Sequence, residues 1–101
     1  MSSARNNLHQ AARFEIDLAK RFLWVDGRPA ELPVKAVELL CVLVEKSGEV
    51  ASKEELLDRV WTYSFVEEGV LPQNVYLLRR FFQQNGYADD PIQTVPRRGY
   101  R

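Results

Sequence analysis

Two arginine pairs, Arg79-Arg80 and Arg97-Arg98, carry the most legible chemistry in this 101-residue chain, and that chemistry is anion binding. A guanidinium stays charged across the physiological range and offers its donors in a planar fork that matches phosphate oxygens. The second pair lies in Ile92-Gln93-Thr94-Val95-Pro96-Arg97-Arg98-Gly99-Tyr100-Arg101. Residues 92–95 are a short β-rich run, and Pro96 presets the backbone for a turn. Gly99 is expected to supply the positive φ that closes a tight hairpin. Such a finger aims two cations into a narrow anionic groove, for which nucleic acid is the obvious partner. Taken alone, the same residues also fit an ordinary surface hairpin with solvated arginines.

Covalent chemistry finds no comparable foothold. The chain has no glycine-rich phosphate loop, no Cys/His cluster and no nucleophile–histidine pair, so no enzyme, cofactor or metal is expected. Asp89-Asp90 reads as a solvated turn, and His9 has no candidate partner nearby. The lone Cys41 excludes an internal disulfide and fits a reducing compartment. Its place in Leu39-Leu40-Cys41-Val42-Leu43-Val44 marks it as a buried small hydrophobe. No run approaches the roughly 20 apolar residues that cross a bilayer, so this segment itself makes no membrane contact. Residues 1–12 lack the apolar centre of a secretory signal and read as a flexible leader.

Composition fits one globular domain with one core, at 46% hydrophobic and 28% charged residues. Net charge is zero, but it is unevenly spread: +2 over residues 1–30, −5 over 31–69 and +3 over 70–101. The cationic C-terminal third is the part that could steer towards a polyanion.

The elements that position these arginines follow from periodicity. Phe14, Ile16 and Leu18 alternate with polar residues, as in a half-buried strand. A second run at residues 22–25 meets Asp26-Gly27, a strong hairpin signal, with a return strand over residues 28–32. The period then becomes helical, with Val37, Leu40, Cys41 and Val44 facing a core and Ser47-Gly48 as the stop. Ser52-Lys53-Glu54-Glu55 is a capping box that starts a second helix bearing Leu56, Leu57, Val60 and Trp61. Residues 62–69 form a loop. A third helix starts near Leu71, with Pro72 tolerable in its first turn. Leu71, Val75, Leu78 and Phe82 make its buried stripe, while Gln73, Leu77, Arg80 and Gln84 face outward with Tyr76 beside them. The order is α+β: an antiparallel sheet, three helices and a C-terminal β-hairpin, a winged helix-turn-helix over residues 13–101.

These residues resemble the OmpR/PhoB-type winged-helix DNA-binding domain over residues 14–101. The resemblance rests on Phe14, Asp17, Asp26-Gly27, Leu39-Leu40, Gly48, Val50 and Ser52-Lys53-Glu54-Glu55-Leu56-Leu57. It continues through Val60-Trp61, Leu78-Arg79-Arg80, Ile92-Gln93-Thr94-Val95 and Gly99-Tyr100-Arg101. It implies sequence-specific binding of double-stranded DNA by a bacterial transcriptional regulator, with the third helix in the major groove and the wing in the minor groove. Asn74 and Leu77 are then the expected base readers, with Gln73 near the helix start and Tyr76 on the same surface. Asn or Gln can bind adenine bidentately, and Leu77 can touch a thymine methyl. The resemblance places Arg79, Arg80, Trp61, Thr94 and Tyr100 at or near the DNA backbone. Arg97 and Arg98 suit an A·T-rich minor groove, where the negative potential is strongest. Arg79 has a second reading, an ion pair with Glu55 or Asp58 of the second helix.

The wing spelling is most similar to the ToxR/CadC branch, whose members place this domain first and follow it with a membrane-spanning helix. Only a dozen polar residues precede the first strand, too few for a receiver domain. The chain ends inside the last wing strand, so a longer parent protein anchored in the inner membrane is expected, with this domain in the cytoplasm. The family implies tandem half-sites in a promoter and an isolated domain that is mainly monomeric. It also implies RNA polymerase contacts through the second loop, here Tyr63, Ser64, Phe65, Glu67 and Glu68. The alternative is a winged helix that serves as a protein-interaction module through Tyr76, Leu77 and Phe81.

Overall fold

The computed structural model describes residues 8–11, 14–62, 66–67, 69–87 and 91–101. Backbone contacts divide the chain into two compact units, residues 1–31 and 32–101, where the sequence suggests one domain.

The first unit is an antiparallel meander of β1 (Leu8–Ala11), β2 (Phe14–Asp17), β3 (Phe22–Val25) and β4 (Arg28–Pro29), in that spatial order. Asp26 and Gly27 both take positive φ, 53° and 79°, which identifies the type I′ turn expected of Asp-Gly. Three expectations change here. Residues 8–11, read as part of a flexible leader, form a strand in register with β2, from Leu8 opposite Asp17 to Ala11 opposite Phe14. Strand pairing is a backbone property, so the free edge of β2 can recruit a segment with no hydrophobic signal. Leu18 lies in a turn and not in the strand. The buried Asp17 carboxylate explains this, because Oδ1 accepts from the Ala19 and Lys20 amides at 3.0 and 3.1 Å and bends the chain. Finally, the return strand is two residues long, followed by one further bond from the Ala30 amide to the Leu23 carbonyl at 2.9 Å. Pro29 has no N–H to extend the ladder.

The second unit contains α1 (Val34–Glu45), β5 (Ala51–Ser52), α2 (Lys53–Val60), α3 (Val70–Gln84), β6 (Thr94–Val95) and β7 (Gly99–Tyr100). The three helices pack on one another, and β5-β7-β6 form a second antiparallel sheet. Helix α1 buries Ala36, Val37, Leu39, Leu40, Cys41, Val42 and Leu43, more than one stripe, so it is the central helix that its unbroken apolar run implies. It ends where Ser47 and Gly48 take positive φ. Leu39, Leu56, Leu71, Leu78 and Ile92 are almost wholly inaccessible. Each such side chain contributes about 1.5–3 kcal/mol on burial.

Only half of the capping box forms. Ser52 Oγ accepts from the Glu55 amide at 3.0 Å, as expected. The Glu55 carboxylate instead takes Lys46 Nζ at 3.1 Å, because the C-terminus of α1 brings an ammonium within reach. Arg59 joins Glu45 at 2.8 Å, and Lys35 Nζ donates to the Val60 carbonyl at the end of α2, also at 2.8 Å. These bonds set the α1–α2 register. The ion pairs among them are part-exposed and add little stability.

Candidate nucleic-acid interface

The outer face of α3 is built by the same period that buries its inner face. Leu71, Asn74, Val75, Leu78, Phe81 and Phe82 are buried, which is a helical stripe at spacings of three and four. Gln73, Tyr76 and Arg80 then lie outward and exposed, with Leu77 half-buried beside them. Tyr76 keeps 53% of its surface exposed, unusual for so large an apolar ring. Gly69 is the N-cap of the helix, and Pro72 occupies its first turn, where a missing N–H leaves no intrahelical bond unmade.

Asn74 departs from expectation. It is only 7% exposed, and its Nδ2 donates to the Val70 carbonyl one turn earlier at 2.8 Å. One hydrogen of its amide is thus used within the helix, on a side chain that packs with the buried stripe. Its spacing carried the signal: Asn74 lies three residues after Leu71 and four before Leu78, inside the stripe. Phe81, three residues after Leu78, is buried for the same reason and presents no interaction surface.

The wing is a turn of residues 95–98 between β6 and β7. The Arg98 amide donates to the Val95 carbonyl at 3.0 Å, and Arg97 takes φ 67°. With Pro at the second position and positive φ at the third, this is the type II pattern. The positive φ inside the turn belongs to Arg97, which carries backbone strain there, and Gly99, just after the turn, takes the expected positive φ as well, at 155°. Gly99 has another reason to be glycine. It crosses the β5 backbone so closely that a Cβ would sit 2.8 Å from the Ala51 carbonyl carbon and 2.9 Å from Ser52 Cα. Arg97 and Arg98 are exposed at the tip. Arg101 Nε donates to Gln93 Oε1 at 3.0 Å, and those two residues also exchange backbone bonds at 2.9 and 3.1 Å.

Arg79 links the two parts. Its Nη2 donates to the Ile92 carbonyl and to Thr94 Oγ1, both at 2.9 Å. Of the two acids considered as its partners, Glu55 is engaged by Lys46 and Arg59. Trp61 and Tyr100, expected near a DNA backbone, are each 7% exposed and serve first as packing. Tyr100 lines a groove of about 360 Å³ together with Lys53, Glu54, Leu57, Gly69, Leu71 and Pro72. Lys53, read from sequence only as part of a cap, is thereby placed at the foot of α3. Glu67 is exposed, whereas Tyr63, Ser64, Phe65 and Glu68 lie outside the described residues. No helix among the described residues is long and apolar enough to cross a membrane.

A helix-turn-helix whose third helix leaves a polar face outward, beside a hairpin tipped by two arginines, defines a winged-helix domain. Residues 27–101 match the family described as "Transcriptional regulatory protein, C terminal". The chain belongs to that family, the OmpR/PhoB-type winged-helix domains of transcriptional regulators. It is 40% identical over 78 residues to the transcriptional activator CadC of Escherichia coli K12, an alignment covering 75% of this chain and 15% of CadC. It is 31% identical over 87 residues to the response regulator SaeR of Staphylococcus aureus, covering 85% of this chain and 38% of SaeR. The chain thus spans well under half the length of either relative. Among solved structures, the DNA-binding domain of E. coli CadC superposes with a TM-score of 0.77 at 30% identity, over 96% of this chain and 92% of that one.

Proposed function

We propose that this domain binds double-stranded DNA sequence-specifically for a transcriptional regulator, with α3 in the major groove and the wing in an A·T-rich minor groove. The observation that carries this reading is the joint exposure of Gln73, Tyr76 and Arg80 on α3 and of Arg97 and Arg98 at the wing tip. Gln73 is suited to a bidentate contact with adenine, and Tyr76 and Leu77 to apolar contact with thymine methyls. Arg80 and Thr94 lie where phosphate contacts would fix register without reading sequence. Arg97 and Arg98 follow the negative potential of a narrow minor groove. Trp61 and Tyr100 act through packing, holding α2 and β7 in place.

The parent protein is a longer regulator acting in the cytoplasm at a promoter with tandem half-sites, and on the ToxR/CadC-like layout it is held at the inner membrane. The isolated domain is mainly monomeric, and residues 62–69 are the surface proposed for RNA polymerase. The interaction-module alternative loses Phe81 to the core. Tyr76 and a half-buried Leu77 are far short of the roughly 800 Å² per partner of a stable interface.

A salt titration tests the reading. With Arg80, Arg97 and Arg98 neutralising phosphate charge, log affinity against log salt should fall with a slope of about −3. Replacing Arg97 and Arg98 by alanine should bring that slope to about −1. A slope near zero in the wild type, or affinity indifferent to both replacements, removes DNA from the function.

A further inference from the structure

Arg79 and Arg80 are neighbours in sequence but sit in different surroundings. Arg80 is exposed on the outer face of α3, whereas Arg79 is half-buried and turned towards the wing. We infer that Arg79 is a positioning residue that fixes the wing against α3, and not a contact to DNA phosphate. The inference rests on the DNA-binding reading above.

The wing needs such a tie. In the order β5-β7-β6, β6 is an outer strand, and its ladder with β7 has two residue pairs, Thr94 with Tyr100 and Val95 with Gly99. A ribbon that short is marginal by itself. Its tip also carries strain at Arg97. Arg79 grips the ribbon where it leaves the core. Ile92 is 1% exposed and anchors the entry, and its carbonyl takes one Nη2 hydrogen. Thr94, the first residue of β6, takes the other. Both bonds are charge-assisted and diverge from one nitrogen, so they fix direction as well as distance. Arg97 and Arg98 can meet the minor groove while α3 occupies the major groove only if that angle is held.

Charge and geometry separate in Arg79→Lys. If Arg79 bound phosphate, a lysine would still serve as a point charge, and affinity would change little. If it holds the wing, lysine replaces the rigid planar Nη2 donor that reaches both Ile92 and Thr94 with a freely rotating ammonium, and the wing loses its aim. The experiment titrates the full chain with duplexes that vary A·T against G·C separately under the wing and under α3. Arg79→Lys should lower affinity about tenfold and erase the A·T preference under the wing, while leaving the preference under α3 intact. A general loss of structure would weaken both preferences together. In the Arg79→Lys background, adding Arg97→Ala and Arg98→Ala should cost little, so the cycle shows about tenfold coupling. Thr94→Val should weaken the A·T preference under the wing, which loss of a phosphate contact alone would leave intact, and Thr94→Ser should restore it; this pair carries the test if Arg79→Lys does not fold.

Binding by Arg79→Lys within about twofold of wild type, or additive effects with the wing replacements, overturns the inference. Wild type that ignores DNA altogether overturns the reading beneath it, and the inference falls with that reading. The two failures are thus told apart by the wild-type titration alone.

Discussion

Replacing Gly99 by alanine is expected to part the wing from the helices. The added Cβ would meet Ala51 and Ser52 backbone atoms, at 2.8 Å from one carbon and 2.9 Å from another, with the Ala51 carbonyl oxygen nearer still. Unstrained carbon contacts lie at about 3.5–4.0 Å, so β7 and β5 must separate by about 1 Å. No side-chain rotation can relieve an overlap with main chain. Separation breaks the ladder that pairs Ala51 with Tyr100 and Ser52 with Gly99, and lifts Tyr100 from its buried seat. A side chain at φ 155° adds backbone strain of its own. Strain and lost hydrogen bonds together come to about 3 kcal/mol. For a domain of this size, that corresponds to a fall in Tm of about 12–24 °C. Thermal unfolding followed by circular dichroism gives the number. Gly27→Ala is the control, since Gly27 also has positive φ but nothing within 4 Å of its Cβ position. It should lose only the conformational term, about 1–2 kcal/mol. A Gly99→Ala protein melting within about 3 °C of wild type, less than 1 kcal/mol produces, would refute the close-approach argument.

Other outcomes follow from single contacts. Ser52→Ala removes the side-chain acceptor for the Glu55 amide and should cost about 1 kcal/mol in urea unfolding, with Ser52→Asp restoring most of it. Asn74→Ala should leave the base-preference profile from random duplexes unchanged while lowering stability by about 1 kcal/mol, because its amide bonds the Val70 carbonyl. A changed profile would return Asn74 to the readers. Two copies of the chain joined by a flexible linker should bind a tandem site at least about tenfold more tightly than the single chain, through effective concentration. Nanomolar binding of one unlinked copy to a single site in physiological salt would remove the need for tethering.

The architecture was legible in the sequence because each element announces itself locally. Asp26-Gly27 carries its turn in two residues, Ser52 caps α2 within four, and the unbroken run around Cys41 marks the central helix. The expected outward placement of Gln73 and Arg80 also held, since helical period alone fixes which residues share a face. Strand β1 was not legible, because His9 and Gln10 bear no apolar pattern and the strand exists by pairing with β2.

What only the tertiary structure decided is how groups distant in sequence divide their hydrogen bonds. Glu55 left the capping box for Lys46, which folding delivers from the end of another helix. Gly99 has a positive φ that its place beside the turn foreshadows, but the tighter demand for glycine comes from β5, far earlier in the chain, which crosses its backbone. Arg79 and Arg80 read alike as cations in the sequence. One is drawn to a carbonyl and a hydroxyl of the wing, and the other is left to solvent. Local patterns determine which face a side chain occupies. Its partner is set by the meeting of segments far apart in the chain, and no spacing rule encodes that meeting.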